Sequence, residues 1–268
     1  MIRAHAALLL AAAGCGASPT APTSEPVLPH TSFTLDSRVL GETRRINLFT
    51  APGWDRGPVL YMLDGGVAED FPHVTRAVDA AVRAGEMRPV VVVGIENTDR
   101  RRDLTGPTDV PKELEAAPRA GGSRAFRAFL LEELRPEIER RVRGSGETGI
   151  IGESLAGLFV VETLLLTPDA FDVYIALSPS LWWNHATLLG SAPGHLASMS
   201  ARPRTLYFAY ASDDNLEGAS DRLAAALRAS APATLTWSYE YKPQATHATI
   251  YRREARSVLG SVYHPPRS

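Results

Sequence analysis

Gly152-Glu153-Ser154-Leu155-Ala156-Gly157 is the stretch from which the fold follows. Ahead of it stands Thr148-Gly149-Ile150-Ile151, short and β-branched, as a buried strand would be. Behind it Leu158-Phe159-Val160-Val161-Glu162-Thr163-Leu164-Leu165-Leu166 is apolar enough for a buried helix. A strand, a sharp turn with a serine among small residues, and a helix make the setting of a nucleophile elbow. There a strained, close-packed backbone leaves the serine Oγ clear of the sheet. The residues do not spell G-x-S-x-G, because Ala156 holds the second glycine position and Gly157 follows one residue later. A serine that merely caps a helix would use the same residue types, so an elbow needs partners from elsewhere in the chain.

Outward from the turn, Val59-Leu60-Tyr61-Met62-Leu63 and Val90-Val91-Val92-Val93 are continuous apolar runs, the mark of strands covered on both faces. Between them Val74, Val78 and Val82 recur every four residues, which predicts a crossover helix over 73–86. Phe126, Phe129, Leu130, Leu134, Ile138 and Val142 mark an amphipathic helix leading into the strand before Ser154. Downstream, Tyr174 to Ser178 and Thr205 to Tyr210 are expected as buried strands, 217–230 as a helix around Leu223 and Leu227, and 249–262 as a closing helix. In the last strand Leu235, Trp237, Tyr239 and Tyr241 alternate with polar residues. At the other end Phe33, Leu35, Ile46 and Leu48 alternate with polar neighbours, as half-buried antiparallel strands do. The expected class is α/β, a doubly wound and mostly parallel sheet with antiparallel N-terminal strands. Two connections, 97–122 and 179–204, are left to border a site.

The chain has 268 residues, 44% hydrophobic and 22% charged, enough for one large core. A single domain over 31–264 is expected. A net charge of −2 offers no electrostatic case for nucleic acid or an anionic membrane surface. The one cysteine, Cys15, excludes an intramolecular disulfide, and no metal or cofactor is implied. Met1 to His5 is a short basic start, Ala6 to Ala13 a short apolar run, and Gly14-Cys15 follows directly. That order resembles a bacterial lipoprotein signal over 1–15, with Cys15 the lipidated residue and the Ala/Ser/Thr/Pro-rich residues 16–30 a tether. Export to the cell envelope is expected, with membrane contact only through the lipid anchor.

Ligands of open α/β sheets bind at the carboxyl ends of the strands. Ser154 lies at one such end, Asp213, Asp214 and Glu217 follow the 205–210 strand, and His247 follows the last strand. Nucleophile, acid and base then come in the chain order of an α/β-hydrolase. A serine hydroxyl needs a neutral imidazole to take its proton, and a carboxylate to hold that ring's tautomer and stabilise its cation. Asp213 is the first choice for the carboxylate, being nearest the strand end, with Asp214 and Glu217 as alternatives. For the oxyanion, the amide of Leu155 is one expected donor, and those of Gly65 and Gly66 in the turn after the 59–63 strand are the others.

Taken together, these motifs resemble the putative-esterase family of α/β-hydrolases. That family includes siderophore trilactone esterases, feruloyl esterases, S-formylglutathione hydrolase and mycolyltransferases. The resemblance rests on Tyr61-Met62-Leu63-Asp64-Gly65-Gly66, Gly94-Ile95-Glu96-Asn97, Arg100-Arg101-Arg102-Asp103-Leu104-Thr105, the serine turn, Ser178-Pro179-Ser180-Leu181-Trp182-Trp183 and Thr246-His247. It implies Ser154 as nucleophile and His247 as base, with Arg100, Arg102, Trp182 and Trp183 bordering a cleft for a small-molecule ester such as a siderophore lactone. Two other functions fit the same motifs: an envelope-tethered binding protein that no longer turns over, and an acyltransferase or polysaccharide esterase.

Overall fold

The computed structural model describes residues 26–214 and 218–265; Cys15 and Glu217, with their expected roles, lie outside the described residues. One eight-stranded sheet carries the fold. β1 (Thr31–Ser37) and β2 (Glu42–Thr50) form an antiparallel hairpin, and β2 runs antiparallel to β4 (Val91–Ile95). From there β3 (Val59–Met62), β5 (Thr148–Glu153), β6 (Val173–Leu177), β7 (Arg204–Ala211) and β8 (Leu235–Lys242) are parallel, in the order β1-β2-β4-β3-β5-β6-β7-β8. The order reverses at β3, so β3 and β5 are neighbours and their carboxyl ends open on a common crevice.

Alternate residues of the inner strands feed two cores, which is why the runs are apolar throughout. Leu60, Met62, Val90 and Val92 pack with α1 (Phe71–Arg83) and α9 (Ile250–Val262) on one face. Tyr61, Val91, Val93 and Ile150 pack on the other, under α6 (Leu155–Leu166) and the helical stretch of α4 (Ser123–Ala128), a π-helical turn over Phe129–Leu134, and α5 (Arg135–Arg141). Pro136 has no N–H for the Glu132 carbonyl, a local cause for the widened turn. α8 (Ala219–Ser230) completes this second layer through Leu223 and Leu227.

The two connections hold more structure than their composition suggests. α2 (Arg100–Leu104) and α3 (Pro111–Ala116) lie in the first, and α7 (Trp183–Ala197) occupies much of the second. Gly190, Pro193 and Gly194 mask α7 in the sequence, and its entry at Asn184, His185 and Ala186 is left-handed rather than helical. β2 also departs from simple alternation, because Arg44 and Asn47 are fully buried. Asn47 accepts from Ser32 Oγ at 2.7 Å and donates Nδ2–H to the Gly65 carbonyl at 2.9 Å. Arg44 pairs with Asp103 at 2.7 Å beneath the rings of Phe126 and Phe129. Buried charge is retained only where such partners exist, and this pair ties α2 to the sheet.

Candidate active site

Ser154 joins β5 to α6 with φ 61° and ψ −121°, a left-handed backbone that costs a non-glycine residue about 1–3 kcal/mol. Its surroundings hold it there. Ser154 donates its N–H to the Leu177 carbonyl and accepts from the N–H of Ser180, both at 3.0 Å, so the Ser-Pro-Ser-Leu-Trp-Trp stretch grips the turn from β6. A Cβ on Gly152 would come within 2.6 Å of Ala156 Cβ, and one on Gly157 within 3.0 Å of the Leu177 carbonyl oxygen and Pro179 Cα. The demand for glycine therefore falls on positions 152 and 157, and the methyl of Ala156 sits in the space that Gly152 leaves.

The base arrives from the turn between β8 and α9. His247 Nε2 lies 3.0 Å from Ser154 Oγ, and its Nδ1 lies 3.0 Å from Asp214 Oδ2. Asp214 is oriented by its other oxygen, which accepts the Ala211 N–H at 2.9 Å as β7 ends. The choice of Asp213 as orienting acid is thereby corrected. Its carboxylate accepts the backbone N–H of His247 at 2.7 Å and holds the turn rather than the ring, because folding Asp214 back onto Ala211 turns that second carboxylate toward Nδ1. The hydrogen bond that Nδ1–H donates to Asp214 raises the imidazole pKa above its usual value against the opposing effect of burial, and the charge of Glu153 adds to the rise. His73 has a different use: it is buried edge-on against Tyr251, and desolvation depresses it to about 3.

A cavity of about 380 Å³ opens beside Ser154, lined by Arg100, Arg101, Lys112, Leu155, Ser180, Trp182 and Trp183 among others. Arg100 reaches it while making a two-pronged ion pair with Asp64, at 2.7 and 2.8 Å. The indole N–H of Trp183 donates to the Gly106 carbonyl at 3.0 Å, fixing that ring as a wall. Arg102 does not belong to the lining. It turns toward the sheet and pairs with Glu42 and Asp103, both at 2.7 Å, because successive side chains on α2 leave the helix in different directions.

The amides of Gly65 and Gly66 are likewise committed. Gly65 donates to the Ile95 carbonyl at 2.9 Å and Gly66 to Glu69 Oε2 at 2.7 Å. A Cβ at Gly65 would lie 2.3 Å from Gly94 Cα, so glycine is needed there for the close passage of β4 rather than to bare a donor. Leu155 opens α6, where its N–H has no intrahelical carbonyl to bond. Sequence reasoning assigned no role to Glu153, whose charge at the end of an apolar strand was a visible signal, to Lys112, which carried none, or to Ser180, which lay inside the Ser-Pro-Ser-Leu-Trp-Trp stretch.

The family model described as Putative esterase matches residues 37–232. Ferri-bacillibactin esterase BesA of Bacillus subtilis is 38% identical over 162 residues, 54% of this chain and 55% of that protein. A siderophore enterobactin esterase of Emericella nidulans is 38% identical over 149 residues, 50% of this chain and 49% of that one. The matches thus span about half the length of these curated relatives. Among solved structures, an IroE-like serine hydrolase from Shewanella oneidensis superimposes with a TM-score of 0.78 at 25% identity, covering 88% of this chain and 80% of that one. The BES protein from Bacillus cereus gives 0.77 at 23% identity, covering 88% and 96%. An α/β-hydrolase sheet whose Ser-His-Asp chain stands at the carboxyl ends of β5, β8 and β7, and a family match over most of its length, make this chain a member of the putative-esterase family.

Proposed function

We propose that the protein is a serine esterase that hydrolyses carboxylic esters through an acyl-enzyme. The observation that carries this reading is the continuous chain from Ser154 Oγ through His247 to Asp214, 3.0 Å at each step, on a strained elbow. As Ser154 attacks the ester carbonyl, its proton passes to Nε2, and Asp214 stabilises the imidazolium from Nδ1. The Leu155 N–H faces the developing oxyanion, with the Arg100 guanidinium as a nearby positive charge. His247 then gives the proton to the departing alcohol, and water, activated by the same imidazole, releases the acid and restores Ser154.

Siderophore esters are the substrates we favour. The named esterase relatives act on them, and a lining with Arg100, Arg101, Lys112 and the Trp182 ring suits an anionic, aromatic ligand through charge-assisted and cation–π contacts. We also place the protein in the bacterial envelope as a lipoprotein anchored at Cys15; palmitate labelling lost in Cys15→Ser would support this, and retained labelling would refute it. The catalytic test is Ser154→Ala, expected to abolish hydrolysis of p-nitrophenyl esters and labelling by a fluorophosphonate while leaving the circular dichroism melt intact. Turnover by that variant would remove Ser154 from the chemistry. A panel of trilactone siderophore, feruloyl ester, S-formylglutathione and short acyl esters then tests the substrate, with the trilactone expected to give the highest kcat/KM.

A further inference from the structure

Glu153 precedes the nucleophile and has no part in the steps above. Its Oε1 lies 3.4 Å from His247 Nε2, the nitrogen that faces Ser154 Oγ at 3.0 Å, and its side chain is only 15% exposed. The imidazole is therefore set between two carboxylates, Asp214 on Nδ1 and Glu153 on Nε2. We propose that Glu153 is a positioning residue acting through His247: ionised, it steadies the imidazolium formed during attack, and toward acid pH it shares one proton with the ring. This rests on the serine-esterase reading of Ser154 and His247.

The charges around Glu153 come from every neighbouring element. His247 approaches from the β8–α9 turn, with Asp213 and Asp214 behind it from the end of β7. Arg100 of α2 faces it, as do Asp64 and Asp70 from the β3–α1 connection, with Glu69 beside them and Tyr251 on α9. Burial pushes the Glu153 carboxyl up to about 7, with His247 and Arg100 pulling it down and Asp70 and Asp64 adding to the rise. Glutamate and histidine thus titrate as a pair over the range in which the base must lose its proton.

The measurement is the rate of fluorophosphonate labelling, and of ester hydrolysis, from pH 5 to 9. Since only neutral His247 accepts the serine proton, removing a nearby negative charge moves the acid limb down. Glu153→Gln is expected to shift its midpoint lower by about one pH unit, a tenfold change in proton affinity. It is also expected to lower the alkaline plateau several-fold, because a weaker base drives less proton transfer. The two profiles then cross, which a loss of folded protein would not produce. Glu153→Asp, keeping the charge but drawing it back by one methylene, shifts the midpoint the same way by less, and carries the test if Gln does not fold. A variant profile that is only scaled, with the wild-type midpoint, overturns this inference, whereas hydrolysis by Ser154→Ala overturns the reading beneath it.

Discussion

Asp214 Oδ2 lies 3.0 Å from His247 Nδ1, while Asp213, one residue earlier, accepts the backbone N–H of the same histidine at 2.7 Å. Adjacent carboxylates thus divide two tasks, orienting the ring and fastening the turn that carries it. Asp214→Asn leaves the ring without its anion and is expected to lower kcat about 10³–10⁴-fold. Asp213→Asn weakens one hydrogen bond worth about 1 kcal/mol and should cost roughly fivefold. Steady-state kinetics on a p-nitrophenyl ester separate the two; equal losses would return the orienting role to either residue.

The proton on His247 also has a direction. Its pKa is raised, chiefly by the hydrogen bond to Asp214, and the base works only when neutral. Activity should therefore rise with pH through a midpoint above that of an ordinary histidine. In Asp214→Asn the residual activity should show a lower midpoint, because the principal cause of the rise is gone. A pH–rate profile of kcat/KM reads both, and an unmoved midpoint would contradict the assignment.

Glycine at 152 and alanine at 156 are not interchangeable positions. Gly152→Ala forces a methyl to within 2.6 Å of Ala156, between the end of β5 and the first turn of α6. Overpacking of that kind costs about 1–3 kcal/mol, and a displacement of 1 Å at the nucleophile about 10²-fold in rate. Ala156→Gly removes a buried methyl and loosens a helix, costing about 1–2 kcal/mol with activity kept within several-fold. Thermal melts paired with fluorophosphonate labelling check this, and full labelling of Gly152→Ala would dismiss the steric account.

Two arginines two residues apart are expected to fail differently. Arg102→Ala removes the pair with part-buried Glu42 and leaves buried Asp103 with Arg44 as its remaining guanidinium, costing about 1–3 kcal/mol of stability; KM should not change. Arg100→Ala leaves Asp64, 6% exposed, without its guanidinium at the cleft, and should raise KM for an anionic ester at least tenfold. A neutral acyl ester is the control, since its KM should move far less. Should Arg102→Ala raise KM instead, α2 would present a different face to the ligand.

The places of the strands, the elbow and the Ser-His pair could be read from the sequence because each leaves a local trace: continuous apolar runs, small residues around Ser154, and a histidine after a strand. What could not be read depends on where side chains turn. Asp213 and Asp214 are identical in composition and adjacent, and only the fold-back of Asp214 onto Ala211 separates them. Arg102 differs from Arg100 by a rotation about α2. Gly65 and Gly66 satisfy close contacts with β4 and Glu69, a requirement that looks the same in sequence as an open oxyanion hole. Asn47 and Arg44 break the alternation of β2 because their partners, Gly65 and Asp103, come from distant parts of the chain. α7 was hidden by its own Gly and Pro content.

Asp70 stands at the N-cap position of α1 without a side-chain cap hydrogen bond, its carboxylate 3.4 Å from His73 Nδ1, and burial, with Asp64 and Glu69 adding their charges, pushes it up from 3.8 to about 6. The unfolded chain gives up this proton near pH 3.8, whereas the folded chain keeps it to about pH 6. Between those values the folded state binds the extra proton, so stability falls as pH rises, and the deficit persists above pH 6. Asp70→Asn carries no such charge and should be the more stable protein at pH 8, with no gain at pH 4, where both forms of the wild type approach protonation. His73, depressed to about 3, pulls the opposite way by losing stability as pH falls below 6.5; at pH 8 the ring is neutral in folded and unfolded chains alike, so the gain expected there is free of it although it lies against Asp70. With the Asp70 side chain 31% exposed the gain is on the order of 1 kcal/mol, about 2–4 °C in Tm for a domain of this size. Calorimetric melts of both proteins at the two pH values decide it: a gain of equal size at each would mean that Asn improves the cap, and that the charge of Asp70 is not what the fold resists.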